Sequence, residues 1–172
     1  SFNTREKEWG LFNARKNKRV CKFLCVKKTM FYEPKKGSPL KIDPFKSLIF
    51  PRPIGWISSI SKNGIANLAP YSYFNAVADE PPQVMFCSNG SSAHSKYKDS
   101  LSNILSTKEF VVNFVTSALR NQMNISSRDF KPDEDEFFLS NLKRKKSKLV
   151  KPPSVKDSPV NLECKLVKTI KL

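Results

Sequence analysis

The sequence predicts a mainly β domain with short peripheral helices, whose antiparallel strands could close a small barrel. Three observations predict it. Asn63-Gly64 separates two strand-like runs, "IGWISSIS" and "GIANLAPYS", and Asn-Gly favours a two-residue type I′ hairpin because both positions need positive φ. "EFVVNFV" (109–115) is dense in β-branched and aromatic side chains, which suit a pleated, half-buried surface. "VNLECKLVKTIKL" places Val160, Leu162, Cys164 and Leu166 on one face by strict alternation, the period of a strand.

Each element follows in chain order. Residues 1–29 are polar, basic and without clear periodicity, and Met30 then reads like a protein start. They are expected to be a basic extension outside the domain, an appended leader, which leaves 30–172 as one domain of ordinary size. After the hairpin, Pro70 is expected to prevent regular pairing, and Asp79-Glu80-Pro81-Pro82 breaks the chain before a strand in "QVMFCS" (83–88). "NGSSAHSK" is a loop. In "KDSLSNILSTK", Asp99 is expected to cap a short helix whose Leu101, Ile104 and Leu105 fall at i, i+3 and i+4. Thr116 is expected to cap a second helix, with Leu119 and Met123 on one side. The stretch 128–159 carries an acidic block, a basic block and Pro152-Pro153, and reads as a long irregular excursion. The final strand has no successor to pair with it, so the domain is expected to be incomplete at its C-terminus.

Charge and composition exclude several classes. The net charge of +16 invites a nucleic-acid reading. Yet residues 1–29 carry +7 and 141–172 carry +8, while the centre carries only +1. Lys outnumbers Arg by 24 to 7, whereas base-reading surfaces lean on the bidentate guanidinium. The basic ends read as solvated surface, and no specific nucleic-acid partner is expected. No apolar run is long enough to span a membrane. Cys21, Cys25, Cys87 and Cys164 show no zinc spacing; reduced thiols and a cytoplasmic location are the simplest reading. His94 is the only histidine and sits in a polar loop, so neither a metal site nor a Ser-His-Asp hydrolase is expected.

Polar residues within "IANLAPYSYFNAV" (65–77) carry the functional reading. Ser58 and Ser59 end a strand beside Trp56, Asn67 lies across the hairpin, and Ser72 to Asn75 follow Pro70. Lys98, Asp99 and Ser100 open a helix, where free backbone N–H groups, the dipole and the Lys98 charge would favour a phosphate. Neither G-x-G-x-x-G nor G-x-x-x-x-G-K-[ST] occurs, so Rossmann and P-loop binding are unsupported. Each residue also has a plain structural reading: Asp99 as a cap, Ser58 and Ser59 as strand residues, Tyr71, Tyr73 and Phe74 as core.

The ordered set "PRPIGW", "NLAPYSYFN" and "KDSL", continued by "EFVVNFVT", "LRNQMNISS" and "PPSVKDSPVNLECKL", resembles the flavin reductase-like family of FMN-binding split β-barrels, in its flavoredoxin-type branch. The resemblance covers about residues 30–172. It implies a Greek-key antiparallel barrel, a homodimer, and FMN in a groove at the barrel edge. It also implies cofactor contacts from Ser58, Ser59, Ser72, Tyr73, Phe74, Asn75 and Asp99, phosphate contacts from Arg52, Lys98 and Ser100, and a turn shaped by Asn67. The implied reaction is hydride transfer from NADH or NADPH to FMN, with no catalytic side chain because the cofactor carries the chemistry. An FMN-binding electron carrier that takes electrons from a protein partner is the alternative. A basic nucleic-acid-binding β-barrel is the lesser one.

Overall fold

The computed structural model describes residues 31–42, 44–90 and 97–171. The basic extension, Cys21, Cys25 and His94 lie outside the described residues. The chain divides into two units after Leu48. In the first, a 3-10 turn spans Pro34–Lys36, and Gly37 closes it at φ +86°, a left-handed value that only glycine adopts without strain. A single helical turn, α1, follows at Phe45–Leu48.

The second unit holds the strands β1 (Gly55–Ile60), β2 (Ala66–Tyr71), β3 (Phe74–Asp79) and β4 (Pro82–Phe86). Helix α2 (Asp99–Thr107) leads into β5 (Glu109–Asn113), then α3 (Arg120–Ile125) and α4 (Glu136–Leu139). Two short strands, β6 (Arg144–Lys145) and β7 (Ser154–Val155), precede β8 (Asn161–Lys165). All pairings among the described residues are antiparallel. They form one four-stranded sheet in the order β2-β1-β5-β8 and two separate pairs, β3-β4 and β6-β7. The expected mainly β, short-helix class is therefore observed, whereas a closed barrel is not formed by the described strands. The β3-β4 hairpin explains the gap: Phe74, Val84 and Phe86 fold onto one face of the large sheet instead of extending its ladder.

Three local expectations need correction. The Asn63-Gly64 hairpin is real, with Ile60 opposite Ala66, but of these two residues only Gly64 has positive φ. Ser61 N–H donates to the Ile65 carbonyl at 2.8 Å and Gly64 N–H to Ser61 at 3.0 Å. This is a three-residue connection with one left-handed position, not a type I′ turn. Pro70 does pair, opposite Trp56; β2 is an edge of its sheet, where a missing N–H costs no ladder bond. Asp99 is the first residue of α2 and not its cap; that position belongs to Lys98, which makes no side-chain capping bond. Thr116 occupies the expected N-cap position, before the 3-10 turn Ser117–Leu119, also without a side-chain bond.

The stretch after α3 is ordered. Asp135 caps α4 by accepting from the backbone N–H groups of Phe137 and Phe138. Glu163 on β8 accepts N–H bonds from Lys148 and Leu149, and those bonds hold its carboxyl below the usual range.

Alternation along β1 gives the large sheet two unlike faces. One buries Trp56, Ala66, Leu68, Leu119, Phe137 and Val155. The other buries Ile57, Tyr71, Ile104, Phe110 and Val112, with Leu162, Cys164 and Leu166 packed beside them. The alternation of the last strand is thus borne out for these three residues, while Val160 is exposed.

Candidate functional site

β1 is buried along nearly its whole length because β2 and β5 flank it and both faces are covered. Adjacent strand residues face opposite ways, so Ser58 and Ser59 separate. The Ser58 hydroxyl donates to the Pro153 carbonyl at 2.6 Å and accepts from Asn113 at 3.2 Å. Asn113 is itself saturated: it also donates to the Trp56 carbonyl and accepts from Val155 N–H and Asn161. Ser58 therefore belongs to the packing of the Trp56 face, and its hydroxyl is committed there.

Ser59 turns to the other side, where its cross-strand partner is Asn67. Asn67 is the centre of a buried polar seam. Its Oδ1 accepts from Ser100 Oγ at 2.6 Å and from Ser59 Oγ at 3.3 Å, and its Nδ2 donates to Glu136 Oε1. Asn103 of α2 donates to Ser59 Oγ at 3.2 Å. Ser59, Asn67 and Ser100, predicted as one set, are brought together, and they seat the first turn of α2 on the β1-β2 hairpin.

Sequence reasoning missed Glu136 and Asn103. Glu136 is 5 % exposed, and its burial pushes the carboxyl up to about 7, although the hydrogen bond from Asn67 pulls the other way. The available signal was the acid-rich run "PDEDEFF", where the last acid immediately precedes two apolar residues and so shares a short helix with a core phenylalanine.

The remaining predicted residues sit around the turn from β2 to β3 and the start of α2. Ser72, Tyr73 and Phe74 are half-buried and Asn75 is exposed, with Asn75 paired to Met85. The Arg52 guanidinium lies 5.3 Å from the Tyr73 ring centroid, a cation–π distance. Phe74 covers Gly55 so closely that a Cβ built there would meet its ring at 2.6 Å. Lys98 is exposed at the head of α2, and Asp99 is half-buried beside it.

A cleft of about 280 Å³ opens next to the seam, lined in part by Asn67, Asp99, Asn103, Asp133, Glu134 and Glu136. Four of those six carry carboxyl groups, so it would repel a phosphate. The residues with donors and cations suited to a flavin phosphate are Arg52, Lys98 and the first-turn N–H groups of α2, whose N-cap residue Lys98 makes no side-chain capping bond. The half-buried Tyr73 and Phe74 rings suit its flat apolar part. The chemistry of these groups fits FMN, whereas that of the acidic cleft does not. Among the described residues no cluster of His, Cys, Asp and Glu could hold a metal ion, and no helix is long and apolar enough to cross a membrane.

Comparison with known proteins defines the class. Residues 47–172 match the Flavin reductase like domain family, and the chain belongs to it. An uncharacterized protein of Aquifex aeolicus is 46 % identical over 123 residues, spanning 72 % of this chain and 62 % of that protein. This chain thus spans less than two thirds of that relative's length. Among solved structures, nitrilotriacetate monooxygenase component B from Bacillus cereus is 30 % identical with a TM-score of 0.76, over 84 % of this chain and 71 % of that one. Flavoredoxin of Desulfovibrio vulgaris (Miyazaki F) shares the fold at a TM-score of 0.66 and 16 % identity, over 78 % and 68 %.

Proposed function

We propose that this domain binds FMN and serves a flavin reductase-type oxidoreductase that draws hydride from NADH or NADPH, in a split β-barrel that pairs as a homodimer. The single observation that carries the reading is the 2.6 Å bond from Ser100 to Asn67. In a chain of this family, it brings two segments far apart in sequence, "KDSL" and "NLAPYSYFN", into contact. In this reading Lys98 and the first-turn N–H groups of α2 hold the phosphate. Arg52, stacked on Tyr73, adds a second cation. Tyr73 and Phe74 shield the apolar face of the ring, while Ser72 and Asn75 offer polar groups to its carbonyls and nitrogens. Bound flavin supplies the two-electron chemistry. The chain's own residues contribute binding and alignment, which is why no histidine or carboxylate pair has to act as acid or base.

The test uses the full-length gene product. FMN titration followed by flavin fluorescence measures uptake, and anaerobic stopped-flow mixing with NADH and with NADPH measures reduction. Uptake with rapid bleaching supports the reductase reading. Uptake without bleaching by either nucleotide replaces it with a protein-fed electron carrier. A protein that takes up no FMN ends both.

A further inference from the structure

Glu136 has no role in the motif set that suggests the flavin site, yet its carboxyl is bonded to that site's central residue, Asn67. Asn67 has one acceptor atom and one donor group, and a side-chain amide is read correctly only in one of its two flips. Its oxygen is taken by two hydroxyls, from Ser59 and Ser100. Hydroxyls rotate and can donate or accept, so they do not by themselves fix which end of the amide faces them. A carboxylate is acceptor-only, and Glu136 Oε1 therefore demands the NH₂ end. With the nitrogen directed to Glu136, the oxygen is left for Ser100, the second residue of α2.

We propose that Glu136 is a positioning residue of the flavin site: by fixing the flip of the Asn67 amide, it sets Ser100 and the first turn of α2 in register on the β1-β2 hairpin. The inference rests on the flavin reading above. Three features support it. Glu136 is buried and bonded through Oε1 to Asn67; a carboxyl withdrawn from water costs stability, which calls for a role. α4 is a single short turn, held at its start by the Asp135 cap, so the carboxyl is delivered to Asn67 from a fixed base. The charged groups lining the cleft beside it are Asp99 of α2 and Asp133 and Glu134 of the preceding loop, all acidic. No cation among them competes with Asn67 for the carboxylate.

The experiment compares wild type, Glu136→Leu and Glu136→Gln in the full-length protein. FMN dissociation constants come from fluorescence titration, and the Asn67 side-chain amide resonances from isotope-edited NMR. Glu136→Leu is expected to weaken FMN binding about tenfold, by analogy with the lower end of the loss seen when a partner that orients a metal ligand is removed. Glu136→Gln, which keeps a carbonyl acceptor, is expected to restore affinity to within about threefold. In wild type the Asn67 amide protons should shift with a midpoint at about pH 7, following the Glu136 carboxyl, and in Glu136→Gln they should not. If Glu136→Leu is folded and binds FMN as tightly as wild type, or if the Asn67 resonances ignore pH, the inference is overturned while the flavin reading stands. If Glu136→Leu does not fold, the Glu136→Gln affinity and its amide titration decide. A wild type that takes up no FMN overturns the flavin reading itself, and this inference with it.

Discussion

Glu136 and Phe137 are neighbours on one turn of helix, both buried, and they enter two different interiors. Phe137 joins Trp56, Leu68 and Val155 in an apolar cluster, where Trp56 Nε1–H has its own acceptor in Ser126 at 2.9 Å. Glu136 enters the polar seam of Asn67, Ser59 and Ser100. The first interior is sealed by chain that returns from far along the sequence, through Val155 and the Asn113 bonds to Val155 and Asn161. The second borders an open, acid-lined cleft. Both residues are buried, so burial alone does not distinguish them. The apolar face stabilises by area removed from water, whereas the seam retains a carboxyl whose ionisation opposes folding at neutral pH. A structure keeps such a liability where it gains geometry, and the seam is where α2 meets the hairpin.

The comparison is broken most directly by truncation on the apolar side. Phe137→Ala empties a site that is 1 % exposed and is expected to cost about 3–5 kcal/mol, the range for large-to-small changes at buried aromatics. Urea denaturation at neutral pH measures it. A loss below about 1 kcal/mol would mean that this cluster is not a close-packed core.

On the polar side the opposite sign is expected. Glu136 has a folded value of about 7 against 4.5 for the unperturbed carboxyl. Between these two values the folded protein holds a proton that the unfolded chain has released, so stability is lost as pH rises through the window. Glu136→Gln has no such proton. It should therefore be more stable than wild type by roughly 3 kcal/mol above about pH 8, with the difference vanishing near pH 4.5. Denaturation curves across that range provide the check, and a pH-independent difference would remove ionisation as the cause.

The sequence shows the apolar side more clearly than the seam, for a physical reason. Periodicity reports which side chains leave water, and it places β1, β2, β5, α2 and β8, whereas Ser59, Asn67 and Ser100 enter one candidate set through the family resemblance. It cannot separate Ser58 from Ser59 unless strand alternation is applied residue by residue; both hydroxyls are buried, but on opposite faces. Asn113 looks like an interruption in an apolar strand, and its four bonds depend on partners 42 to 57 residues away. Glu136 is harder still, because a buried carboxyl has no local pattern and its partner lies 69 residues earlier. The hairpin turn was legible as a turn, while its type depended on φ at Asn63, which the dipeptide Asn-Gly does not fix.

The smallest expected effect tests where the two interiors meet the proposed flavin surface. Gly55 opens β1 opposite Tyr71, on the face that Phe74 covers. A Cβ at this position would lie 2.6 Å from Phe74 Cδ2, 2.7 Å from Cγ and 3.2 Å from Cβ. The obstacle is the root of the side chain, Cβ and Cγ with the adjoining Cδ2, so a rotamer change alone does not clear it. Gly55 has no positive φ to protect, and the effect of Gly55→Ala is therefore one of packing, without added backbone strain. Overpacking of this kind costs about 1–3 kcal/mol. It should also displace Phe74 from the β2–β3 turn while leaving the Ser100–Asn67 bond intact, since Gly55 and Ser59 are at opposite ends of β1. FMN titration of the variant then sharpens the comparison: weaker uptake with an unchanged Asn67 amide spectrum assigns ring contact to the Phe74 end and phosphate positioning to the seam. Loss of the amide signal in this variant would instead show that the two ends of the hairpin respond as one unit.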